Sequence, residues 1–253
     1  MRSLLVGIIV LFLLTTSCLS KTKGVDPEDF LVVIIDSADI EKEKISIDLN
    51  DKNTRFQVRS LHADFLKDYR DVARYIILDF WYRERGDSLI DNYLVAELHR
   101  TKCVSLCCGG IENERFERTN PLFLNAVREA GHTVFGCNDQ GIISFKSTIG
   151  NEDFAEINFS VSYRQMGLVL FTHLNIKPDK REIYSFSTAQ IEDIPTISYS
   201  KLKERSGLAS NKILILVSLV PYKDHTIDIH ELPGYGKIPG SILLANMILN
   251  IQQ

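Results

Sequence analysis

Several stretches of the chain are apolar at nearly every position and end abruptly at acidic, glycine or proline residues. Phe30-Leu31-Val32-Val33-Ile34-Ile35 stops at Asp36-Ser37-Ala38-Asp39, and Lys212-Ile213-Leu214-Ile215-Leu216-Val217 lies between an Asn/Ser/Gly turn and Pro221. Short apolar runs without alternation predict strands buried on both faces of a sheet. Tyr75 to Trp81, Lys102 to Cys108 before Gly109-Gly110, and Thr133 to Gly136 predict three more. Between them the spacing changes from two to three and four. Val58, Leu61, Phe65, Tyr69 and Val72, and then Leu89, Ile90, Tyr93, Leu94 and Leu98 from Ser88, each mark one side of a helix. Strand, helix, strand in that order is a right-handed unit with parallel strands. Asn120 to Gly131 carries a capping Asn, a Pro in the first turn and a Gly past the end, and predicts a further helix. Ser162-x-x-Gln165 predicts the cap of another, bearing Met166, Val169, Leu170 and Leu174.

Other segments are less regular. Glu41 to Arg55 is charged, with Ile45, Ile47 and Leu49 alternating as in an edge ribbon or a loop. Asn138-Asp139-Gln140-Gly141 predicts a tight turn into a strand over Ile142 to Phe145. Lys177 to Lys203 is mostly polar, with Tyr184, Phe186, Ile194 and Ile197 as a weak strand and a helical turn from Tyr199. The last helix opens at Ile238-Pro239-Gly240-Ser241 and leaves only Asn246 and Asn250 as a polar stripe. A helix apolar almost all round needs cover on most sides. Either its own domain encloses it, or its faces suit a homodimer or a partner membrane protein. Alternation without a repeat or a composition break predicts one α/β domain, with a mostly parallel central sheet and helices on both faces.

Composition adds two exclusions and a location. The 253 residues, 45% apolar and 25% charged, are ordinary for a globular domain. A net charge of −4 with no basic stretch argues against nucleic acid as a partner. Arg2, then Leu4 to Leu14, then Thr15-Thr16-Ser17-Cys18, has the charge, apolar core and small-residue layout of an export signal. The apolar run is short for a membrane span. Ser17-Cys18 resembles a bacterial lipoprotein processing site, with Cys18 as the lipidated residue; an uncleaved anchor helix through Leu19 is the other reading. The chain then divides into residues 1–18 as signal, 19–28 as tether and 29–253 as domain. Both readings place it in the cell envelope, extracytoplasmic and membrane-anchored at its N-terminus.

Candidate chemistry is sparse. Asp36 and Asp79 fall at the carboxyl ends of predicted parallel strands, where α/β sheets form ligand crevices, and there they either hold a ligand or cation or merely cap the next helix. Arg83 and Arg85 leave the same edge and could grip an anionic ligand. Asp224, Asp228 and His230, with His225, form the only cluster of metal-ligand type, and Asp224, Asp228 and His230 share one side of an extended backbone. Cys103, Cys107, Cys108 and Cys137 contain no Cys-x-x-Cys spacing; buried free thiols fit them best, with a disulfide from Cys137 as the alternative. No Gly-x-Ser-x-Gly, phosphate-cradling loop or His-Glu-x-x-His is present, and Ser200-x-x-Lys203 lacks partner motifs. No cofactor is called for.

The order of Ile35-Asp36, the lysine-led strand Lys212 to Val217, Asp224, and then Pro239-Gly240 with Ala245-Asn246 resembles the second subtype of the CHASE domain. The acid, x, Gly, apolar-pair turn at Asp139 to Ile143 adds to the resemblance. That family comprises extracytoplasmic sensory modules of bacterial cyclases and kinases. Ser218 stands where it has glycine and Leu244 where it has histidine, so that histidine's role is not carried over. The resemblance implies signal reception without catalysis; the candidate residues for a small-molecule or envelope ligand are Asp36, Asp79, Arg83, Arg85, Asp224 and Asn246. Family members continue into membrane helices and an output module, and a copy ending at Gln253 would act through a partner. Two alternatives stand beside this one: an exported metal-dependent hydrolase using Asp36, Asp79, His225 and His230, and a structural envelope lipoprotein.

Overall fold

A computed structural model describes residues 24–45, 54–112, 115–150, 162–178, 180–220 and 229–252. The export segment with Cys18, Ile47 and Leu49, and Asp224, His225 and Asp228 lie outside the described residues.

The fully apolar runs become the middle of the sheet. β1 (Phe30–Ile35) ends at Asp36, whose carboxylate accepts from the Ala38 and Asp39 N–H groups and so starts α1 (Ser37–Lys42). A turn, α2 (Thr54–Gln57), leads into α3 (Arg59–Tyr69), which buries Leu61, Phe65, Leu66 and Tyr69 and leaves Val72 outside the helix and exposed. β2 (Tyr75–Leu78) stops before Asp79, shorter than the apolar run that predicts it. Asp87 then caps α4 (Ser88–Arg100), and β3 (Val104–Cys107) follows. A hairpin, β4 (Gly109–Glu112) and β5 (Arg115–Arg118), precedes α5 (Pro121–Leu124) and β6 (Glu129–Gly131).

That last pair corrects the helix expected over Asn120 to Gly131. The start signals hold: the Asn120 side chain accepts from the Leu122 N–H, and Pro121 opens the turn. The helix ends after one turn because residues 129–131 are recruited to the edge of the sheet, pairing with Ser105 to Cys107. Gly131 is there for closeness rather than to end a helix. A Cβ on it would stand 2.9 Å from the Met166 Cα and 3.1 Å from the Arg164 carbonyl oxygen, backbone atoms that cannot yield.

The fourth strand, expected at Thr133 to Gly136, is therefore β6, upstream of it. Only β7 (Gly136–Cys137) of that region is extended, and it pairs with β8 (Ile142–Lys146) across the predicted turn. In that turn the Asn138 carboxamide accepts from the Gln140 and Ile142 N–H groups, and Gly141 takes a positive φ of 71°. β9 (Thr148–Ile149) and β10 (Tyr163–Arg164) form a short ladder before α6 (Met166–His173). Its cap is Gln165, accepting from the Gly167 N–H, in place of the expected Ser162. β11 (Ile183–Ser187) pairs with β8, and β12 (Thr196–Ser198), α7 (Tyr199–Glu204) and β13 (Ile213–Ser218) return the chain to the main sheet. The hairpin of β14 (Ile229–Leu232) and β15 (Gly236–Pro239) leads into α8 (Gly240–Ile251).

The main sheet runs β12-β1-β13-β2-β3-β6, and every pairing is parallel. Alternate residues of the central strands separate two cores. Leu31, Val33, Ile76, Leu78, Leu214 and Leu216 face α3, α4, α5 and α7. Val32, Ile77, Ile213, Ile215 and Val217 face α6, α8 and the small β11-β8-β7 sheet. The fold is a single α/β domain with a parallel sheet covered on both faces, as the alternation predicts. Inside it α8 is enclosed, with Leu243 to Leu249 all buried, so its apolar surface is consumed within the chain and not presented to a second copy. Among the described residues no helix is long and apolar enough to cross a membrane.

Candidate functional site

The connections choose the site. Leaving β1, β2 and β3 the chain goes to the α3/α4 face, whereas leaving β13 and β6 it goes to the α6/α8 face. Neighbouring strands whose exits diverge open a crevice at their carboxyl ends. Here β13 beside β2, and β3 beside β6, are such neighbours.

A cavity of about 30 Å³ lies at that edge, lined by Asp79, Thr133, Phe135, His230, Gly240, Leu244 and Met247. That is room for about two water molecules. Asp79 comes from the end of β2, held by its N–H donating to the Leu216 carbonyl at 3.1 Å. His230 comes from β14, where its ring stands edge-on to Phe135 with centroids 4.9 Å apart. Thr133 follows β6, and its hydroxyl is 3.5 Å from the Cys107 thiol, which donates to the Gly109 carbonyl. Gly240, Leu244 and Met247 belong to the first two turns of α8. Next to Gly240, the fully buried Ser241 hydroxyl meets no hydrogen-bond partner among the described residues. A carboxylate, an imidazole and a hydroxyl converging on a partly enclosed, mixed polar and apolar cleft of this size can orient one or two water molecules or the tip of a small polar ligand.

On the α3/α4 face of the sheet, the loop of residues 79–87 is clasped to α3 by side chains that carry no obvious sequence signal. Arg59, 4% exposed, donates to the Asp91 carboxylate at 2.5 Å and to the Glu84 carbonyl at 2.6 Å. Asp91 also accepts from the Gly86 N–H at 2.7 Å. The Arg59 guanidinium lies over the rings of Phe56, Tyr82 and Phe123. His62 shares a hydrogen bond with the Tyr82 hydroxyl at 2.8 Å and packs on Phe80, centroids 4.1 Å apart. Burial, with the Arg59 charge second, holds the His62 pKa down at about 3, so the ring is neutral. Burial likewise raises the Tyr82 hydroxyl well above the ordinary range.

The sequence-derived candidates divide. Asp79 and His230, expected on separate grounds, line one cavity. Asp36 does not join them: β13 lies between β1 and β2, which puts the ends of those strands about 10 Å apart, and its carboxylate is occupied in capping α1. Arg83 is half-buried and Arg85 exposed, and neither lines the cavity. Asp224 and Asp228 lie outside the described residues, so the metal set reduces to His230, and no group of three His, Cys, Asp or Glu among the described residues is placed to hold an ion.

Asn246 is fully buried, accepting from the Glu192 N–H at 2.7 Å and donating to the Glu192 and Ile242 carbonyls. It clips the 191–195 segment to α8. Asn246→Ala is therefore expected to lower unfolding free energy by about 1–2 kcal/mol in urea titration. Cys103, Cys107, Cys108 and Cys137 form no disulfide among the described residues, Cys137 is exposed, and burial raises the Cys108 thiol far above the reactive range.

Thr133 and Phe135 were hidden within an expected strand, and only the shift of pairing to residues 129–131 frees them to line the cleft. Compared with protein-family models, curated proteins and solved structures, the chain matches none.

Proposed function

We propose that this chain is an extracytoplasmic, membrane-tethered sensory domain that receives a small polar ligand in the crevice at the carboxyl edge of its sheet. The observation that carries the reading is the convergence of Asp79, Thr133 and His230 with the first turns of α8 where strand exits diverge. The export-signal layout of residues 1–18 supports the location, with Cys18 as the lipidated anchor. The resemblance to the second CHASE subtype supports the role, since the residues that carry it, Ile35-Asp36, Lys212 to Val217 and Pro239-Gly240, build the central strands and the entrance to α8. On this reading the domain acts without catalysis and passes its state to a partner membrane protein.

The test is a ligand screen by thermal shift on the full chain in detergent. A ligand of the crevice raises the melting temperature of the natural protein and binds Asp79→Asn about 10- to 100-fold more weakly, the loss of a charge-assisted hydrogen bond. A ligand whose affinity ignores Asp79→Asn and Thr133→Ala would remove the crevice from the account.

The pairing of Asp79 with His230 at one cavity also favours a second reading, the exported metal-dependent hydrolase. Metal analysis separates the two. A stoichiometric divalent ion lost in His230→Ala, with turnover lost alongside it, would establish the enzyme.

A further inference from the structure

The strands of the main sheet all run the same way, so their amino ends form one edge and the crevice lies at the other. The chain enters at the amino edge. Val25 is held there by the Gln252 side chain at the end of α8, and β1 begins five residues later. The carboxyl edge is about 20 Å away, the rise of a six-residue strand. On the membrane-tethered reading, Cys18 precedes Gly24 by six residues, a span of at most about 22 Å. The amino edge is therefore the one that the anchor keeps close to the lipid.

That edge carries a row of cations. Lys212 and Arg74 come immediately before β13 and β2, and Lys102 stands two residues before β3. Ile213 lies opposite Tyr75 and Ile76 opposite Val104, so the same register continued outward sets Lys212, Arg74 and Lys102 side by side. Neighbouring strands are about 4.8 Å apart, and the three positive charges fall within about 10 Å. Among the described residues neither Arg74 nor Lys102 makes an ion pair. The Lys212 ammonium donates to the Glu28 carbonyl, which leaves its charge in place. On the α6/α8 side, the exposed Lys177 lines an open groove of about 530 Å³ beside Gly24 and Val25, the size of a small-molecule site.

The acids of this edge do not cancel the row. Glu97 is shared between Arg70 and Arg100, Asp71 lies against Arg70, and Glu129 accepts from the Tyr75 hydroxyl. Asp26, which also lines the groove, gathers with Glu28 and Asp29 at the lead-in to β1. In a chain whose net charge is −4, three cations in register are a local field of the opposite sign.

We propose that the amino edge of the sheet is a membrane-docking surface, which Lys212, Arg74, Lys102 and Lys177 hold against the phosphates of anionic phospholipids. The inference rests on the tethered reading for its closeness to the bilayer and adds the orientation. Attraction between surface cations and anionic lipid fades within about 10 Å at ordinary ionic strength, so the tether supplies the proximity and the row selects the face. The crevice then opens away from the headgroups and samples dissolved rather than lipid ligands.

The test is amide hydrogen exchange on the full chain reconstituted into vesicles of phosphatidylcholine alone or mixed with phosphatidylglycerol, with flotation recorded for both. On the mixed vesicles, exchange in residues 72–74, 101–103 and 175–177 is expected to slow by about threefold or more, and about 1 M salt should abolish the difference. The turn at residues 233–236, on the crevice side, should exchange equally on both. Lys102→Glu with Lys177→Glu, both at exposed positions, should remove the protection, whereas Lys237→Glu, exposed at the other edge, should keep it. Equal exchange at the amino edge on both kinds of vesicle, with the chain floating on each, would refute the docking surface and leave the tether standing. Protection at residues 233–236 instead would refute it as well. A chain that floats only on mixed vesicles at low salt, with its amino edge protected, would overturn the tether and keep the surface. One that floats on neither would overturn both.

Discussion

Arg59→Met is expected to lower the free energy of unfolding by about 3–5 kcal/mol, the usual result of removing one partner from a buried ion pair. Arg59 and Asp91 have side chains 5% and 4% exposed, and their 2.5 Å contact is made where water cannot replace it. Methionine keeps much of the apolar stem but leaves the Asp91 charge without its cation and the Glu84 carbonyl without its donor. Domains of this kind have about 5–15 kcal/mol in total, so the variant should approach the threshold of folding. The double variant Arg59→Met, Asp91→Leu should recover part of the loss, because no charge is then stranded, although the Gly86 N–H loses its acceptor. Urea titration of the natural protein, the single and the double variant reads this directly. A loss below about 1 kcal/mol in the single variant would mean that water reaches the pair and that the clasp on residues 79–87 is loose.

The second large effect is a dependence on pH set by His62. Its pKa is lowered from 6.5 to about 3, first by burial and then by the Arg59 charge, so the folded protein keeps it neutral while the unfolded chain protonates it below 6.5. A depressed folded pKa means that the unfolded state binds more protons between the two values. Stability is then complete above pH 6.5 and declines as pH falls towards 3, by about 1.4 kcal/mol per unit from this one residue. Between pH 7 and pH 5 the contribution is about 2 kcal/mol. His62→Phe, which keeps a ring against Phe80, should abolish that part of the slope, and the difference between the two proteins at each pH isolates it from other titrating groups. Parallel pH profiles would show that His62 is accessible to protons in the folded state.

Both effects arise where α3 meets the loop of residues 79–87, and the amino-acid pattern announces neither. Arg59 and His62 read as the polar flank of a helix whose apolar stripe is Leu61, Phe65 and Tyr69, yet both are buried, because the 79–87 loop folds back over that flank. Asp91 and Glu97 in α4 are hidden in the same way. Glu97, 2% exposed, is held by Arg70 and Arg100, each at 2.5 Å. A charge can sit inside when an opposite charge arrives from another element, and helical spacing carries no record of that arrival. The helix expected over Asn120 to Gly131 failed for a related reason. Its Gly131 satisfied a local rule for helix ends, but the residue is glycine because the Met166 backbone passes within 2.9 Å of where a Cβ would be.

What the sequence determined by itself is the inventory of central strands and the class of the fold. Unbroken apolar runs at Phe30 to Ile35, Tyr75 to Leu78 and Ile213 to Val217 can be satisfied only between two covering layers, and alternation with helices makes their pairing parallel. The helix starts at Ser88 and Asn120 were equally legible, and Asp36 turned out to take the capping one of its two readings, since a cap is a contact within three residues. Only the tertiary structure decided the order of the strands. By inserting β13 between β1 and β2, it separated Asp36 from Asp79, brought His230 and Thr133 to Asp79 instead, and enclosed α8 between the crevice and Val25. Strand order depends on which buried faces fit together across more than a hundred residues, and that long-range packing leaves no periodic trace along the chain.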